Sequence, residues 1–293
     1  MTRKIVIGVF SAIVLAGCAI LAMFDWRNPG ELAYVQSGDI YIKELPQGQP
    51  VRLTQDGLNS SPRISPSGKW LAFRKGDAQL CVTRSNEPSA GPVHSGKVRY
   101  FKWAPGSDLL AFIGEGELRI WEAGMNESRL IVPSPLKEHA GADFDFLWSP
   151  DGKWIAYEYT EARDVPEGEW PWRQSIRKVN VEKGESEEII AYPPPDEEGK
   201  PGNTALAAWV GSRIYLWQCK IMSASIMSDG CPLLYIDRDK KQKDAGVVSL
   251  LYRDFLAFSP HGEILAVSKG GNRFTWTNKR GIITPRCALG EAC

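Results

Sequence analysis

The sequence predicts an all-β fold: a six-bladed β-propeller over residues 31–293, preceded over 1–30 by a membrane-anchor helix or a lipoprotein signal. Three observations predict it. A hairpin motif returns along the chain, six strand-rich units are separated by turn residues, and one apolar run opens the sequence. Hydrophobic side chains make up 43% and charged ones 24%, the composition of a chain with a packed core. Lys+Arg and Asp+Glu are both 35. That balance lacks the basic excess of a nucleic-acid binder, so none is expected as a partner.

The N-terminal element comes first. Arg3 and Lys4 precede an apolar or small-residue run from Ile5 to Phe24, the length a helix needs to cross a hydrocarbon core of ~30 Å. Positive charge ahead of the run places the N-terminus in the cytoplasm and the rest outside. Leu15-Ala16-Gly17-Cys18 also reads as a lipoprotein box, with Cys18 the candidate lipidation site. The apolar residues Ala19–Phe24 beyond it fit an uncleaved anchor better. Both readings tether the protein to a membrane, on the periplasmic or cell-surface side.

The repeat follows. Ile64-Ser-Pro-Ser-Gly-Lys-Trp-Leu-Ala-Phe73, Trp103-Ala-Pro-Gly-Ser-Asp-Leu-Leu-Ala-Phe112, Trp148-Ser-Pro-Asp-Gly-Lys-Trp-Ile-Ala-Tyr157 and Phe258-Ser-Pro-His-Gly-Glu-Ile-Leu-Ala-Val267 align with one another. A worn copy runs from Trp209 to Trp217. In each, a strand ends at Pro, which cannot extend a ladder, and Gly with Asp or Ser supplies the turn. A second strand of aromatic and β-branched residues returns. Small Ala at 72, 111, 156 and 266 marks where neighbouring sheets approach closely. A third alternating strand follows, as in Glu117-Leu-Arg-Ile-Trp121, and often a fourth. Four strands per ~40 to 50 residues is the period of a propeller blade.

The units are 31–58, 59–96, 97–140, 141–200, 201–250 and 251–293. The first has second, third and fourth strands at Leu32–Val35, Asp39–Leu45 and Pro50–Thr54, with no first strand ahead of them. The last needs its own strands at Asn272–Thr277 and Gly281–Thr284, which leaves little chain to close a ring.

The Ser-Pro-Asp-Gly-Lys-x-Ile-Ala-Tyr core at 149–157, with Gly-Asp-Ile-Tyr at 38–41 and Arg-Leu-Thr at 52–54, resembles the WD-like β-propeller repeats of the TolB family. The resemblance implies a six-bladed propeller outside the inner membrane that acts through protein partners. Similar repeats occur in the propeller domains of prolyl-oligopeptidase-like and tricorn-type proteases, so fold alone does not decide function.

Chemistry is sparse. No Gly-x-Ser-x-Gly elbow occurs. His94, His139 and His261 have no metal-ligand spacing, and no cofactor is expected. Asp143-Phe-Asp145 puts two carboxylates on one face of a strand: either a cation site, or one carboxylate facing a solvent-filled channel while the other pairs with a neighbour. Cys81 alternates with apolar residues as a buried free thiol would. Cys219 with Cys231, and Cys287 with Cys293, bracket short segments; they read as two disulfides of an exported domain or as four separate thiols.

The long segments are Pro133–Ala142, Thr160–Arg173, Tyr192–Thr204 and Gln218–Asp229. Strand counting puts all four on one rim, opposite the short Ser-Pro-Asp-Gly turns. They carry Trp170, Trp172, Arg173, Met222 and Met227, residue types suited to partner binding or to capping the propeller. The expected function is therefore a scaffold that binds an envelope or secreted protein, not an enzyme. A module holding a small ligand or cation in the central channel is the alternative, and an enzyme using channel residues is a third.

Overall fold

The computed structural model describes residues 30–86, 91–94, 96–133, 145–162, 172–191, 203–219, 230–249, 253, 256–258, 265–268 and 280–283; of these, 161–162, 172–174, 203, 219, 265–268 and 280–283 are described by backbone alone. Every regular element is a strand, and the strands form six antiparallel sheets among the described residues, each built from strands consecutive in sequence. The first sheet holds β1 (Glu31–Gln36), β2 (Asp39–Glu44) and β3 (Val51–Arg52). The second holds β4 (Asn59–Ile64), β5 (Trp70–Lys75), β6 (Gln79–Arg84) and β7 (Gly91–His94). The third holds β8 (Val98–Trp103), β9 (Leu109–Gly114), β10 (Glu117–Glu122) and β11 (Arg129–Val132). The fourth holds β12 (Phe146–Trp148), β13 (Trp154–Ala162), β14 (Trp172–Asn180) and β15 (Ser186–Ala191). The fifth holds β16 (Asn203–Val210), β17 (Arg213–Cys219), β18 (Cys231–Ile236) and β19 (Gln242–Ser249). The sixth holds β20 (Leu256–Phe258), β21 (Leu265–Ser268) and β22 (Arg280–Ile283).

These sheets fall on the six units read from the repeat, and the first has three strands as expected. The strand expected at 272–277 and the anchor at 1–29 lie outside the described residues. No helix among the described residues is long and apolar enough to cross a membrane. By contact, the chain divides into two compact units: Met1–Asp77 with Cys81–Gly91, and Ala78–Leu80 with Pro92–Cys293.

The repeated turn is held by side chains the sequence repeats. Ser149 Oγ donates to Asp151 Oδ1 at 2.6 Å and accepts the Trp154 N–H at 2.9 Å. Lys153 N–H donates to the same Asp151 oxygen at 3.1 Å. In the second sheet Ser67 stands where Asp151 does, and Ser65 Oγ accepts the Trp70 N–H at 3.3 Å. Gly152 and Gly68 sit at φ +69° and +76°, the left-handed region that favours glycine.

Strands β5, β9, β13 and β17, each second in its sheet, bury side chains on both faces. Ile155 and Tyr157 pack toward the third sheet, with Phe146, Trp148, Ile113 and Ile120. Ala156 points the other way, to Leu206, Ile214 and Leu216 of the fifth. Period two therefore gives these sheets two apolar faces, and within the second unit a core lies between consecutive sheets. The fifth and sixth share Tyr215, Trp217, Leu256 and Phe258. In the first unit, Ile40, Ile42, Leu71 and Phe73 do the same for the first two sheets. Ala72, Ala111 and Ala156 are fully buried, as expected for residues where sheets approach.

Candidate functional site

A polar network links the first strands of the third, fourth and fifth sheets to the segment before the sixth, all within the second unit. It begins with strand parity. Glu158 follows Ala156 by two residues, so it too points at the fifth sheet. There its Oε1 accepts the Leu206 N–H at 2.7 Å. The ladder between β16 and β17 shifts register between Leu206 and Ala208, a bulge of the kind that re-aims backbone groups. Leu206 C=O accepts Arg253 Nε at 3.0 Å and Nη2 at 2.8 Å. Arg253 Nη1 donates to Asp145 Oδ2. Asp145 Oδ1 accepts Lys102 Nζ at 3.0 Å, and that ammonium also reaches Phe146 C=O at 2.6 Å. Trp148 Nε1 returns to Lys102 C=O at 3.0 Å. Edge strands carry unpaired backbone groups; here Trp148, Lys102 and Glu158, each from a neighbouring sheet, cap them on β8, β12 and β16.

The network settles Asp145. It pairs with Lys102 and Arg253 and is not a free ligand for a cation, the alternative the sequence left open. Asp143 lies outside the described residues, and among those described no group of His, Cys, Asp or Glu could hold a metal ion. Burial pushes Glu158 up to about 7, and the Leu206 N–H and Arg253 pull the other way. Burial brings Lys102 down to about 8 against the opposing pull of Asp145. Neither Glu158 nor Arg253 stood out in the sequence. Glu158 follows the repeated core at 149–157 and Arg253 belongs to no repeat.

Of the residues expected to bind a partner, Trp170, Met222 and Met227 lie outside the described residues. Trp172 and Arg173 are not in a free insertion: β14 begins at Trp172, with Trp172 opposite Ala162 and Arg173 opposite Glu161. Tyrosine and threonine at 159–160 favour the pleated strand, and the hairpin extends into the expected loop, leaving 163–171 as the connection. The placement of the rim holds. The connections 133–145, 163–171, 192–202 and 220–230 all leave from the ends opposite the turns at 149–153, 211–212 and 237–241.

The short-turn ends carry a cleft of about 300 Å³ between the fourth and fifth sheets, with Trp154, Trp209, Asp151 and Asp237 in its lining. Lys178 stands 4.7 Å over the Trp154 ring and pairs with Glu187 at 2.6 Å. Lys240 reaches Glu187 from the fifth sheet at 3.3 Å.

Cys81 is a buried free thiol, as expected. Cys231 is buried and disulfide-bonded. Cys219 ends β17 and Cys231 begins β18, neighbouring strands of the fifth sheet. Cys18, Cys287, Cys293, His139 and His261 lie outside the described residues. His94 ends β7 against the Phe112 ring at 5.3 Å, and burial lowers its pKa.

No protein-family model matches the chain, and no curated protein matches it. Solved structures do. A puromycin-hydrolyzing peptidase of Mycobacterium tuberculosis is 14% identical, with TM-score 0.52 over 88% of this chain and 44% of that one. The β-propeller domain of the Trilobed protease from Pyrococcus furiosus, which has an open velcro topology, is 16% identical, with TM-score 0.50 over 83% of this chain and 75% of that one. TolB from Acinetobacter baumannii is 15% identical, with TM-score 0.47 over 81% of this chain and 57% of that one. This chain thus spans little more than half of that TolB and less than half of the peptidase. At such identities the likeness concerns fold alone, and the fold is a β-propeller, as the repeat's resemblance to the TolB family implied.

Proposed function

We propose that the chain is a membrane-tethered, extracytoplasmic β-propeller of six blades. It presents the loop-bearing rim of its fourth and fifth sheets to a protein partner of the cell envelope. The observation that carries this reading is the common placement of the four long connections at one set of strand ends, above a scaffold whose other ends are tight turns. Loops held on a rigid frame are where such folds place recognition. Trp170, Trp172 and Arg173 supply types enriched in interface hot spots. The engagement of Asp145 by Lys102 and Arg253 favours binding over metal-dependent chemistry at the first strands of these sheets.

The test is a crosslinking capture from intact membranes, comparing the wild-type chain with Trp170, Trp172 and Arg173 all changed to Ala. Loss of a specific crosslinked protein with an unchanged melting temperature supports the reading. Equal capture by both proteins removes these residues from it, and recovery of the chain in the soluble fraction removes the tether. A non-reduced digest of the same material reads the Cys219–Cys231 pairing; two free thiols there would count against an oxidising compartment.

A second reading, binding of a small ligand, is favoured by the cleft with Trp154 and Trp209 in its lining. A rise in melting temperature with a sugar or peptide would support it.

A further inference from the structure

The first sheet lacks the strand with which the others begin. Leu32-Ala33-Tyr34 on β1 matches Leu71-Ala72-Phe73, Leu110-Ala111-Phe112 and Ile155-Ala156-Tyr157, all on second strands. On one side β1 pairs with β2 from Glu31↔Glu44 to Gln36↔Asp39, and the Leu45 N–H reaches Gly30 C=O at 2.9 Å. Antiparallel bonds alternate, so Gly30, Leu32, Tyr34 and Gln36 turn to β2. Glu31, Ala33 and Val35 turn their N–H and C=O to the other edge. Among the described residues no strand pairs with that edge. Proteins blunt such edges with bulges, Pro, Lys or short strands. Every other described edge strand at least as long as β1, namely β4, β8, β15, β16 and β19, carries a register shift. β1 has no shift, no Pro and no Lys, and its Leu32 and Val35 are 46% and 40% exposed.

The segment just ahead of β1 has the sequence of a first strand. Phe24-Asp25-Trp26 repeats the spacing of Phe101-Lys102-Trp103 on β8 and Phe146-Leu147-Trp148 on β12. In those sheets Trp stands opposite the residue before the Ala, and Phe opposite the aromatic after it: Trp103↔Leu110 and Phe101↔Phe112, Trp148↔Ile155 and Phe146↔Tyr157. The same register sets Trp26 opposite Leu32, Asp25 opposite Ala33 and Phe24 opposite Tyr34. It leaves 27–31 as the turn, in length between 210–213 of the fifth sheet and 149–154 of the fourth. Asn28-Pro29-Gly30 is a turn sequence, and Gly30 sits at φ +102°. Parity agrees as well. In the fourth sheet the Ser149 N–H reaches Trp154 C=O at 2.8 Å and the Glu158 N–H reaches Asp145 C=O at 3.3 Å. Ala156, midway between Trp154 and Glu158, therefore turns its backbone to the first strand. Its counterpart is Ala33, the middle one of the three open residues.

We propose that Phe24-Asp25-Trp26 is the first strand of the first sheet, seated antiparallel on the open edge of β1. The end of the apolar run then belongs to the propeller, and the tether enters the first sheet at the end that carries the turn 37–38. Trp26 lies beside the exposed Leu32. Phe24 lies beside Tyr34, whose ring stacks on Tyr41 at 5.5 Å. The apolar residues after Cys18 thus have a cause in the sheet and do not count against processing at Cys18. The strand does not depend on the rim's having a partner.

The experiment is hydrogen exchange of the full-length chain in detergent, read at the Ala33 and Val35 amides as protection relative to their intrinsic rates. The comparison is with Asp25→Pro, which removes the N–H that faces Ala33 C=O and cannot extend a ladder. That change leaves the apolar run Ile5–Phe24 as it is. In the wild type, Ala33 and Val35 are expected to be protected like Leu32 and Tyr34. In the variant they are expected to lose about tenfold or more of that protection. The Leu53 amide, which bonds Ile40 C=O at 2.8 Å, keeps its own and reports that the sheet is folded. Wild-type exchange of Ala33 near its intrinsic rate overturns the proposal. Protection that persists in the variant also overturns it, because another strand then holds the edge. If the variant does not fold, Asp25→Cys with Ala33→Cys replaces it, since directly bonded partners ~5.5 Å apart at Cα suit a disulfide. A 25–33 crosslink in a non-reduced digest, absent from Leu21→Cys with Ala33→Cys, supports the strand. No crosslink, or equal crosslinking of both pairs, overturns it.

Discussion

Asp39 shows how a single motif residue organises the first unit. Its carboxylate accepts the Gly57 N–H at 3.0 Å, Thr54 Oγ at 3.2 Å and Arg52 Nη2 at 2.5 Å. Thr54 Oγ in turn accepts the Ile40 N–H at 2.8 Å. The Gly57 amide is the largest influence holding the Asp39 carboxyl below its usual range, with Arg52 and Thr54 adding to it. Gly38, just ahead, has no room for a side chain: a Cβ there would meet the Gly57 carbonyl oxygen at 2.1 Å. Gly-Asp-Ile-Tyr and Arg-Leu-Thr were thus legible in the sequence as a resemblance, and their physical content is one hydrogen-bonded cluster. Replacing Asp39 with Ala leaves the Gly57 amide and Arg52 without their acceptor. The expected outcome is a lower melting temperature at pH 7, with Asp39→Asn intermediate because it keeps one acceptor oxygen. Because the carboxyl is lowered from 3.8, its contribution is present above that value and is lost as pH falls through the folded value. An unchanged melting temperature in Asp39→Ala would remove the cluster from the account of stability.

At the scale of one hairpin, the copies of the repeat test each other. In the fourth sheet Ser149 bridges Asp151 and the Trp154 N–H. In the third sheet Ala104 stands at the equivalent place without a hydroxyl. The backbone still closes, with the Ala104 N–H donating to Leu109 C=O at 2.8 Å. Pro, the positive-φ glycine and the returning apolar strand are therefore enough to form the turn, and the hydroxyl adds to a turn that already exists. Ser149→Ala should cost only about 1 kcal/mol, the net value of an ordinary hydrogen bond, and should leave the fold intact. Denaturant unfolding measures it. A loss several times larger would mean that the third-sheet turn is held by something its sequence does not show. This substitutability also explains why the hairpins were legible: their determinants lie within ten residues of one another. The extension of β13 and β14 past Thr160 and to Trp172 was less so, because a long hairpin and a loop of mixed polar and aromatic residues share a composition.

For the molecule as a whole, the sheets were legible and the links between them were not. Glu158 meets Leu206 across 48 positions and Arg253 meets Asp145 across 108. No local period marks either contact, whereas the apolar cores announce themselves by alternation on every strand. Lys102 gives the most direct test of how these links act together. Its ammonium caps Phe146 C=O and pairs with Asp145, and burial lowers its pKa from 10.5 to about 8. A lysine lowered in this way binds fewer protons in the folded chain than in the unfolded one between those two values. Stability from this site therefore rises with pH across that window, since the unfolded chain must release the extra proton. Lys102→Met has no such titration. The wild-type protein should gain on the variant as pH climbs from about 8 toward about 10.5, with a constant difference below that window. Denaturation midpoints of both proteins at a series of pH values measure the gap. Subtraction removes the titrations they share, such as those of Cys81 and Tyr157, which burial raises in both. A gap that stays constant through the alkaline window would mean that Lys102 is solvated like any surface lysine, and that its ammonium adds nothing to the junction of the third and fourth sheets.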